Sequence, residues 1–496
     1  MKTAIKPTRA ENFPEWYQQV VLHAEMAENS PVRGCMVIRP WGYGIWEHIQ
    51  QELDRRFKET GHVNAYFPLL IPLSFLQKEA DHVEGFAKEC AVVTHHRLEQ
   101  DAEGTLVAAG ELEEPLIIRP TSETVIGASF ARWVQSYRDL PLLINQWANV
   151  LRWEMRPRIF LRTSEFLWQE GHTAHACKEE ALEETLRMLN IYADFVHDHL
   201  AIPVIKGLKC SWERFPGAVD TYTIEAMMQD GKALQTGTSH FLGQNFAKAS
   251  DIRFINRDGQ RAFAWTTSWG VSTRMIGAMI MTHGDDDGLR VPPKVAPVQI
   301  VIVPVVRDES DRQSILEACE VLRSQLSAQR WDDQPVRALV DKRELSGADK
   351  KWYHIKRGVP IRVEIGTREV LANTVSLSLR TEPKDVESST VEHFIDSVSQ
   401  RLQGIQDRLL EQASQRLLER TITVTSLSDF KRAFEEEQQT APFVLAPFVD
   451  HPHVEEGLSG MGVSVRCLPL QQSGDTHHCL FTGQPTKTMA LFAKSY

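Results

Sequence analysis

Residues 150 to 175 read Val-Leu-Arg-Trp-Glu-Met-Arg-Pro-Arg-Ile-Phe-Leu-Arg-Thr-Ser-Glu-Phe-Leu-Trp-Gln-Glu-Gly-His-Thr-Ala-His. A strand carrying Arg152 and Glu154 leads into a loop holding Arg156, Pro157 and Arg158. The chain then returns through Arg162, Phe166 and Glu170, spaced by four. Two antiparallel strands alternating in this way present Arg and Phe on one face, an anion clamp beside a ring on which a base can stack. The plain alternative is a charged hairpin whose arginines are solvated. Four arginines between positions 152 and 162, beside Trp153, Phe160, Phe166 and Trp168, argue for the clamp.

The chain around this segment has 496 residues, 42% of them hydrophobic and 24% charged. That balance describes a folded globular protein and excludes a disordered or low-complexity one. No run approaches the roughly 18–20 apolar residues of a membrane helix, and the first residues lack the apolar core of a secretory signal. At about 100–200 residues per domain, two to four domains are expected. The seven cysteines are scattered, odd in number and without a CxxC pair, which reads as reduced thiols in a cytoplasmic protein. A formal net charge of −11 stands at first against a nucleic-acid partner. Neither a GxxxxGK[ST] phosphate loop nor a Gly-rich dinucleotide fingerprint is present, so any nucleotide must be held another way.

The first 290 residues mix long amphipathic helices with short strands. Trp46, Ile49, Leu53 and Phe57 repeat at helical spacing before Gly61, and Leu182, Leu186, Leu189, Val196 and Leu200 form a second stripe ended by Ile202-Pro203. Strands are expected at Leu142 to Val150 and Thr221 to Ile224. The order lacks regular strand–helix alternation and favours an α+β domain on an antiparallel sheet. Gly284-Asp285-Asp286-Asp287-Gly288, then Pro292-Pro293 and Pro297, mark a linker. Beyond it, Val298 to Val306 is an apolar run suited to a strand buried on both faces. A helix (Asp311 to Ser327), a strand (Val336 to Val340), a helix near Ala348 to Arg357 and a strand (Ile361 to Ile365) complete a small α/β domain. A third segment opens at Val391 with the amphipathic series Ile395, Val398, Leu402, Ile405 and Leu409. The expected divisions are 1–290, 296–390 and 391–496.

Three segments together resemble the class II aminoacyl-tRNA synthetases. The pattern at 152–170 is similar to motif 2 of that class. The helix through Trp46–Phe57 followed by Gly61-His62-Val63-Asn64-Ala65-Tyr66-Phe67-Pro68 is similar to motif 1. Ala264 to Ser268, Gly270 and Ser272-Thr273-Arg274 before Met275–Met281 are similar to motif 3. The finer resemblance is to the prolyl-tRNA synthetase family, over nearly the whole chain. It is carried by Arg119-Pro120-Thr121-Ser122-Glu123-Thr124, by Leu161 to His175, by Leu234 to Gly243, and by Lys356 to Gly366. Only about 100 residues separate Arg162 from Arg274, an ordinary single-domain length. The chain therefore resembles the archaeal/eukaryotic-like form, which lacks an editing insertion there. The resemblance implies an antiparallel-sheet catalytic domain, an α/β anticodon-binding domain and a small α+β C-terminal domain.

It further implies ATP-dependent attachment of L-proline to tRNA(Pro) through a prolyl-adenylate, with Mg²⁺ beside ATP. Arg152 would bind the α-phosphate and the substrate carboxylate, since a guanidinium holds two oxygens at once. Arg274 would stack on adenine or reach the γ-phosphate, with Phe166 on the opposite ring face. Glu154, Arg162, Thr238 and Ser272 would complete the nucleotide site, and Glu225 with Gln235 would hold Mg²⁺ through oxygen. Thr121 and Glu123 would receive the proline nitrogen, with Trp168, His240, Ser268 and Gly270 around the ring. On residue type alone, Thr121-Ser122-Glu123 is equally a good helix N-terminus, and Glu225 is equally a solvated strand carboxylate. Lys342, Arg343, Lys356, Arg362 and Glu364 would contact the anticodon, although such basic clusters are also ordinary solvated faces.

The family pattern breaks twice. Val449, Val454 and Thr482 stand where many relatives have zinc-binding cysteines, and only Cys479 remains. A tetrahedral structural site needs four N/S ligands, so zinc is not expected, although His451, His453, His477 and His478 lie nearby. Asp341 to Ala348 lacks the family's Pro-Gly step. A homodimer is expected, because motif 1 builds the interface in this class; no membrane partner is. Two other readings remain: a relative charging threonine or alanine, and a non-catalytic RNA-binding homologue, which would have lost Arg152, Glu154 or Arg274. The net charge then becomes a local question, with acid concentrated in Asp285–Asp287 and Glu435–Glu437, away from these contacts.

Overall fold

In the computed structural model, residues 4–78, 89–382, 385–435 and 440–496 are described. Glu436 and Glu437 lie outside them. The helix expected through Trp46–Phe57 is α1 (Pro40–Glu59), and its stripe is buried. It leads into the short strand β1 (Val63–Asn64). Then come α2 (Glu123–Trp133), β2 (Leu142–Leu151), β3 (Glu165–His175), α3 (Lys178–Asp198), β4 (Val204–Leu208), β5 (Asp220–Met227), β6 (Ala233–Gly243), β7 (Trp265–Ser272) and α4 (Arg274–His283). From β4 to β2 every pairing is antiparallel. The helix α3 covers one face, where Tyr192 Oη donates to Gln169 Oε1 (2.5 Å) and Ser239 Oγ donates to the Thr185 carbonyl (2.7 Å). Its buried stripe runs through Thr185, Met188, Leu189 and Tyr192, so Leu182 and Leu186 are only half-buried. The opposite sheet face is left open for a site.

The second unit holds β8 (Ile300–Val305), α5 (Arg312–Ser327), β9 (Ala338–Val340), α6 (Gly347–Lys356), β10 (Ile361–Gly366), β11 (Thr374–Leu379) and β12 (Glu387–Thr390). Its sheet order is β9-β8-β10-β11-β12, with β8 parallel to both neighbours. The long helix α7 (Val391–Arg420) packs Phe394, Val398, Leu402, Ile405 and Leu409 against Ile300, Ile315, Leu322 and Ile361. A division at Val391 would cut through this core; the physical boundary falls after Arg420.

The last unit contributes β13 (Thr421–Thr423), β14 (Phe443–Pro447), β15 (Ser464–Pro469) and β16 (Met489–Ala493). These strands extend the catalytic sheet: the order among the described residues is β13-β14-β16-β15-β4-β5-β6-β7-β3-β2-β1. Leu468 and Pro469 of β15 pair with Leu208 and Gly207 of β4. The linker is not a loose tether. Leu289, Val291, Val295 and Ala296 are buried in the catalytic core. Asp285 accepts from both terminal nitrogens of Arg380 (2.5 and 2.7 Å), and Asp286 pairs with Arg9 at 3.1 Å. The acid run read as part of a linker clamps units together. Among the described residues no helix is long and apolar enough to cross a membrane.

Candidate active site

Side chains alternate across a strand, so every second residue of β3, β6 and β7 faces the open side of the sheet. Register aligns them in rows: His240 opposite Ser268 opposite His172, and Thr238 opposite Gly270 opposite Glu170, with Ser272 opposite Trp168. Above these rows lies a cavity of about 260 Å³. Of the expected residues, Thr121, Glu123, Arg152, Phe166, Trp168 and Gln235 line it, as do Thr238, His240, Ser268, Gly270, Ser272 and Arg274. Residues more than 150 positions apart thus converge on one chamber.

Arg152 follows the last residue of β2. Its Nε donates to the Pro120 carbonyl (3.0 Å), and its guanidinium lies 5.7 Å from the Phe166 ring centroid and 5.5 Å from that of Trp168. Arg274 opens α4, with Nε donating to the Leu161 carbonyl (3.0 Å). Burial, followed by the like charges of Arg152, Arg162 and Arg466, pushes it down to about 10. It remains cationic at neutral pH. Two half-buried arginines lining one cavity suit a polyanion, which relieves their mutual repulsion.

The other end is built for a small cation. The Thr121 hydroxyl donates to the Glu123 carboxylate. Ser122 stands at the N-cap of α2, yet its hydroxyl caps nothing and donates instead to Glu170 Oε1 (2.5 Å). Gln146 Nε2 donates to the same oxygen (2.8 Å), and His172 Nε2 lies 3.0 Å from Glu170 Oε2. Burial opposes ionisation of both partners, but each stabilises the other's charge. Glu170 is held below the usual carboxylate range and His172 is raised, with Glu123 adding to the latter. His240 behaves oppositely: burial, with the His172 charge beside it, pushes it down to about 3. It is a neutral ring, stacked on Phe215 (centroids 4.5 Å apart) and bonded to Thr221 Oγ1 (3.1 Å). Ser268 Oγ and Trp168 Nε1 are buried without a hydrogen-bond partner among the described residues. Both residues line the cavity, and unsatisfied buried polar atoms are suited to meeting a ligand.

Other expected residues sit elsewhere. Glu154 and Arg162 pair with each other at 3.5 Å on the loop after β2, outside the cavity lining. Glu225 is fully buried. Its Oε2 accepts from Arg466 Nε (3.0 Å) and Nη2 (2.9 Å), and its Oε1 from Thr223 Oγ1 (3.0 Å) and Lys209 Nζ (3.3 Å). Both oxygens are satisfied by cations and a hydroxyl, so the expected Mg²⁺ ligand does not fit that role; Gln235, opposite it in the sheet, does line the cavity. No cluster of three or more His, Cys, Asp or Glu side chains suited to a metal occurs among the described residues. Val449, Val454 and Cys479 pack together in an apolar cluster with Phe481.

In the second unit, Lys342 and Arg343 lie just beyond β9, lining a cavity of about 330 Å³ with Arg312 and Lys350. Lys342 pairs with Glu320 (2.6 Å), and Arg343 pairs with Asp341 (2.6 Å) while lying 3.7 Å from the Tyr353 ring centroid. Glu364 is partly exposed, but Arg362 is buried and pairs with it at 3.2 Å. Lys356 ends α6, where its carbonyl accepts from Leu289 of the linker (2.9 Å). Arg362 is thus held inside the unit by Glu364, while the backbone of half-exposed Lys356 stands at the junction with the catalytic unit. Sequence reasoning missed Ser122, Gln146, His172 and Lys209 as site residues. The alternation Trp168, Glu170, His172 could have revealed His172; Lys209 carries no local signal.

Residues 107–283 match the tRNA synthetase class II core domain family (G, H, P, S and T), 299–401 the anticodon binding domain, and 427–496 the prolyl-tRNA synthetase C-terminal family. The chain is 58% identical over 496 residues to a proline–tRNA ligase of Bdellovibrio bacteriovorus, covering 100% of this chain and 99% of the relative. It is 56% identical to a proline–tRNA ligase of Rhodopirellula baltica, covering 100% and 98%. Among solved structures, prolyl-tRNA synthetase from Cryptosporidium parvum complexed with L-proline and AMP matches with a TM-score of 0.88 and 36% identity, over 99% of this chain and 97% of that one. The same enzyme complexed with halofuginone and AMPPNP matches with a TM-score of 0.90. With a class II core, an anticodon-binding domain and the family's own C-terminal domain in one chain, this protein belongs to the prolyl-tRNA synthetase family.

Proposed function

We infer that the chain attaches L-proline to tRNA(Pro) in two ATP-driven steps, through a prolyl-adenylate. The observation that carries this is the division of one cavity between paired arginines and a carboxylate–hydroxyl pair. In the first step the proline carboxylate attacks the α-phosphorus and pyrophosphate leaves. A carboxylate is already ionised at neutral pH, so the step needs orientation and charge neutralisation rather than a general base. Arg152 lies where it can bridge the carboxylate and the α-phosphate, and Arg274 faces the rest of the nucleotide. Thr121 and Glu123 receive the secondary ammonium of proline, while neutral His240, Trp168 and Ser268 border the ring. In the second step a hydroxyl of the terminal tRNA adenosine attacks the activated carbonyl, and AMP leaves.

Glu154 and Arg162 act at the rim, on the nucleotide as it enters, with Phe166 against the base and Thr238 and Ser272 on the sheet floor. Mg²⁺ enters as the companion of ATP's phosphates, with Gln235 the nearest oxygen donor of the expected pair. Lys342, Arg343 and Glu364 form the anticodon face. We also propose a homodimer, supported by the edge position of β1 beside exposed Val63 and Tyr66. A cytoplasmic setting is supported by seven cysteines, none in a disulfide. The test is ATP–pyrophosphate exchange with a panel of amino acids. Exchange with proline is expected; exchange with threonine or alanine alone, or none, overturns the reading.

A further inference from the structure

We propose that Arg466, a residue of the C-terminal unit, is a positioning residue for the ATP half-reaction: it holds Glu225 behind the nucleotide cavity and so keeps that wall of the cavity cationic. Arg466 and Glu225 are 241 positions apart, and neither lines the cavity. Lys209 and Gln235, which flank Glu225, do. Glu225 therefore stands one layer back, and what faces the nucleotide depends on how its charge is balanced.

The backbone is adapted at both ends of this contact. On β15, the pairing with β16 slips between Val465 and Cys467, leaving Arg466 as the extra residue of a bulge. On β5, the register against β6 slips between Ile224 and Glu225, bringing Gln235 opposite Glu225. Bulges re-aim side chains, and these two bring a guanidinium and a carboxylate into a bond through Nε and Nη2 at 3.0 and 2.9 Å. The close approach also depends on Gly207, where a Cβ would stand 2.6 Å from Cys467 Cβ. A side chain there would force β15 away from β4.

Counting charges, Glu225 contributes −1 against the two cations Lys209 and Arg466, which leaves +1 beside the cavity. Arg274 senses the same group, since Arg466 is among the charges that depress it. Without Arg466, Glu225 and Lys209 would cancel, and the net positive charge beside the cavity would be lost. The arginine thus does at this carboxylate what a divalent ion was expected to do there.

This inference rests on the cavity being the ATP site, and wild-type exchange measured alongside separates failure of that reading from failure of this one. ATP–pyrophosphate exchange is compared for the full-length wild type, R466K, R466Q and the double variant E225Q/R466Q, with KM measured separately for ATP and proline. R466Q is expected to raise KM for ATP about tenfold while proline KM stays within about twofold. R466K keeps a KM near wild type, and the double variant, which removes both charges, returns to within about threefold. Equal rises in both KM values, or a double variant no better than R466Q, overturn the proposal. Should R466Q fail to fold, the double variant decides alone: a near-normal ATP KM supports the inference, and a tenfold rise overturns it.

Discussion

The large cavity of the catalytic unit and the proposed anticodon face both depend on arginine and lysine, but they hold them differently. In the cavity, Arg152 and Arg274 each hand Nε to a neutral backbone carbonyl, so the orienting bond consumes no charge. On the proposed anticodon face, exposed Lys342 is matched by Glu320 and half-exposed Arg343 by buried Asp341. The first arrangement orients two half-buried cations in advance for a polyanion. The Lys342 pair is suited to a large partner met through solvent, where exposed pairs are worth little and exchange readily. A net charge of −11 is compatible with RNA recognition on these terms: attraction is weak at large and strong only where cations are gathered locally.

This contrast orders the expected effects. Replacing Arg152 with Ala should lower proline-dependent ATP–pyrophosphate exchange by about a thousandfold; near-normal exchange would remove Arg152 from the chemistry and erase the contrast. Next, Glu123→Gln should raise proline KM by about fiftyfold with ATP KM nearly unchanged. A matched rise in both would mean that the two ends of the cavity are not separate.

A smaller effect comes from the pair beneath the proline end. His172 is raised in the folded state, so its charged form contributes stability below its unfolded value. That contribution is lost as pH rises through the raised folded value. Glu170 is depressed, so its contribution is present above the unfolded carboxylate value and lost only as pH falls through the depressed one. Wild-type melting temperature should therefore decline by a few degrees as pH rises above the ordinary histidine value and through the raised one, and His172→Asn should flatten that decline. Identical slopes in thermal melts would show that the pair carries no net charge coupling. The smallest change belongs to Lys342→Ala: about a threefold rise in tRNA KM, less at high salt, with exchange untouched.

What the sequence disclosed follows from how locally each feature is encoded. Arg152, Phe166 and Trp168 sit within one hairpin, and strand alternation suffices to place them on one face. Ser122 looked like a helix cap because the Thr-Ser-Glu pattern is a capping pattern, yet its hydroxyl turns to Glu170. Satisfying a buried carboxylate outweighs satisfying one helix-end amide that water can reach. Glu225 and Arg466 were illegible for a different reason. A strand carboxylate gives no sign that a guanidinium from the far end of the chain will meet it. The boundary at Val391 failed likewise: an amphipathic stripe announces that a helix is buried, not which core receives it. The charge of Lys356 and Arg362 gives no sign that the backbone of one meets the linker or that the other is buried beside Glu364.

The joining of β15 to β4 has a consequence for how this chain is made. Synthesis proceeds from the N-terminus, so the catalytic strands emerge long before residues 464–469. Throughout that interval the outer edge of β4 presents unpaired amides and carbonyls to whatever is near, the kind of edge on which chains aggregate. Lys209 and Glu225 wait beside it without Arg466. The arrival of residues 464–469 closes this edge of the sheet and adds the second cation at Glu225 in a single docking event, so a chain cut before them carries both an open edge and a carboxylate with one cation fewer.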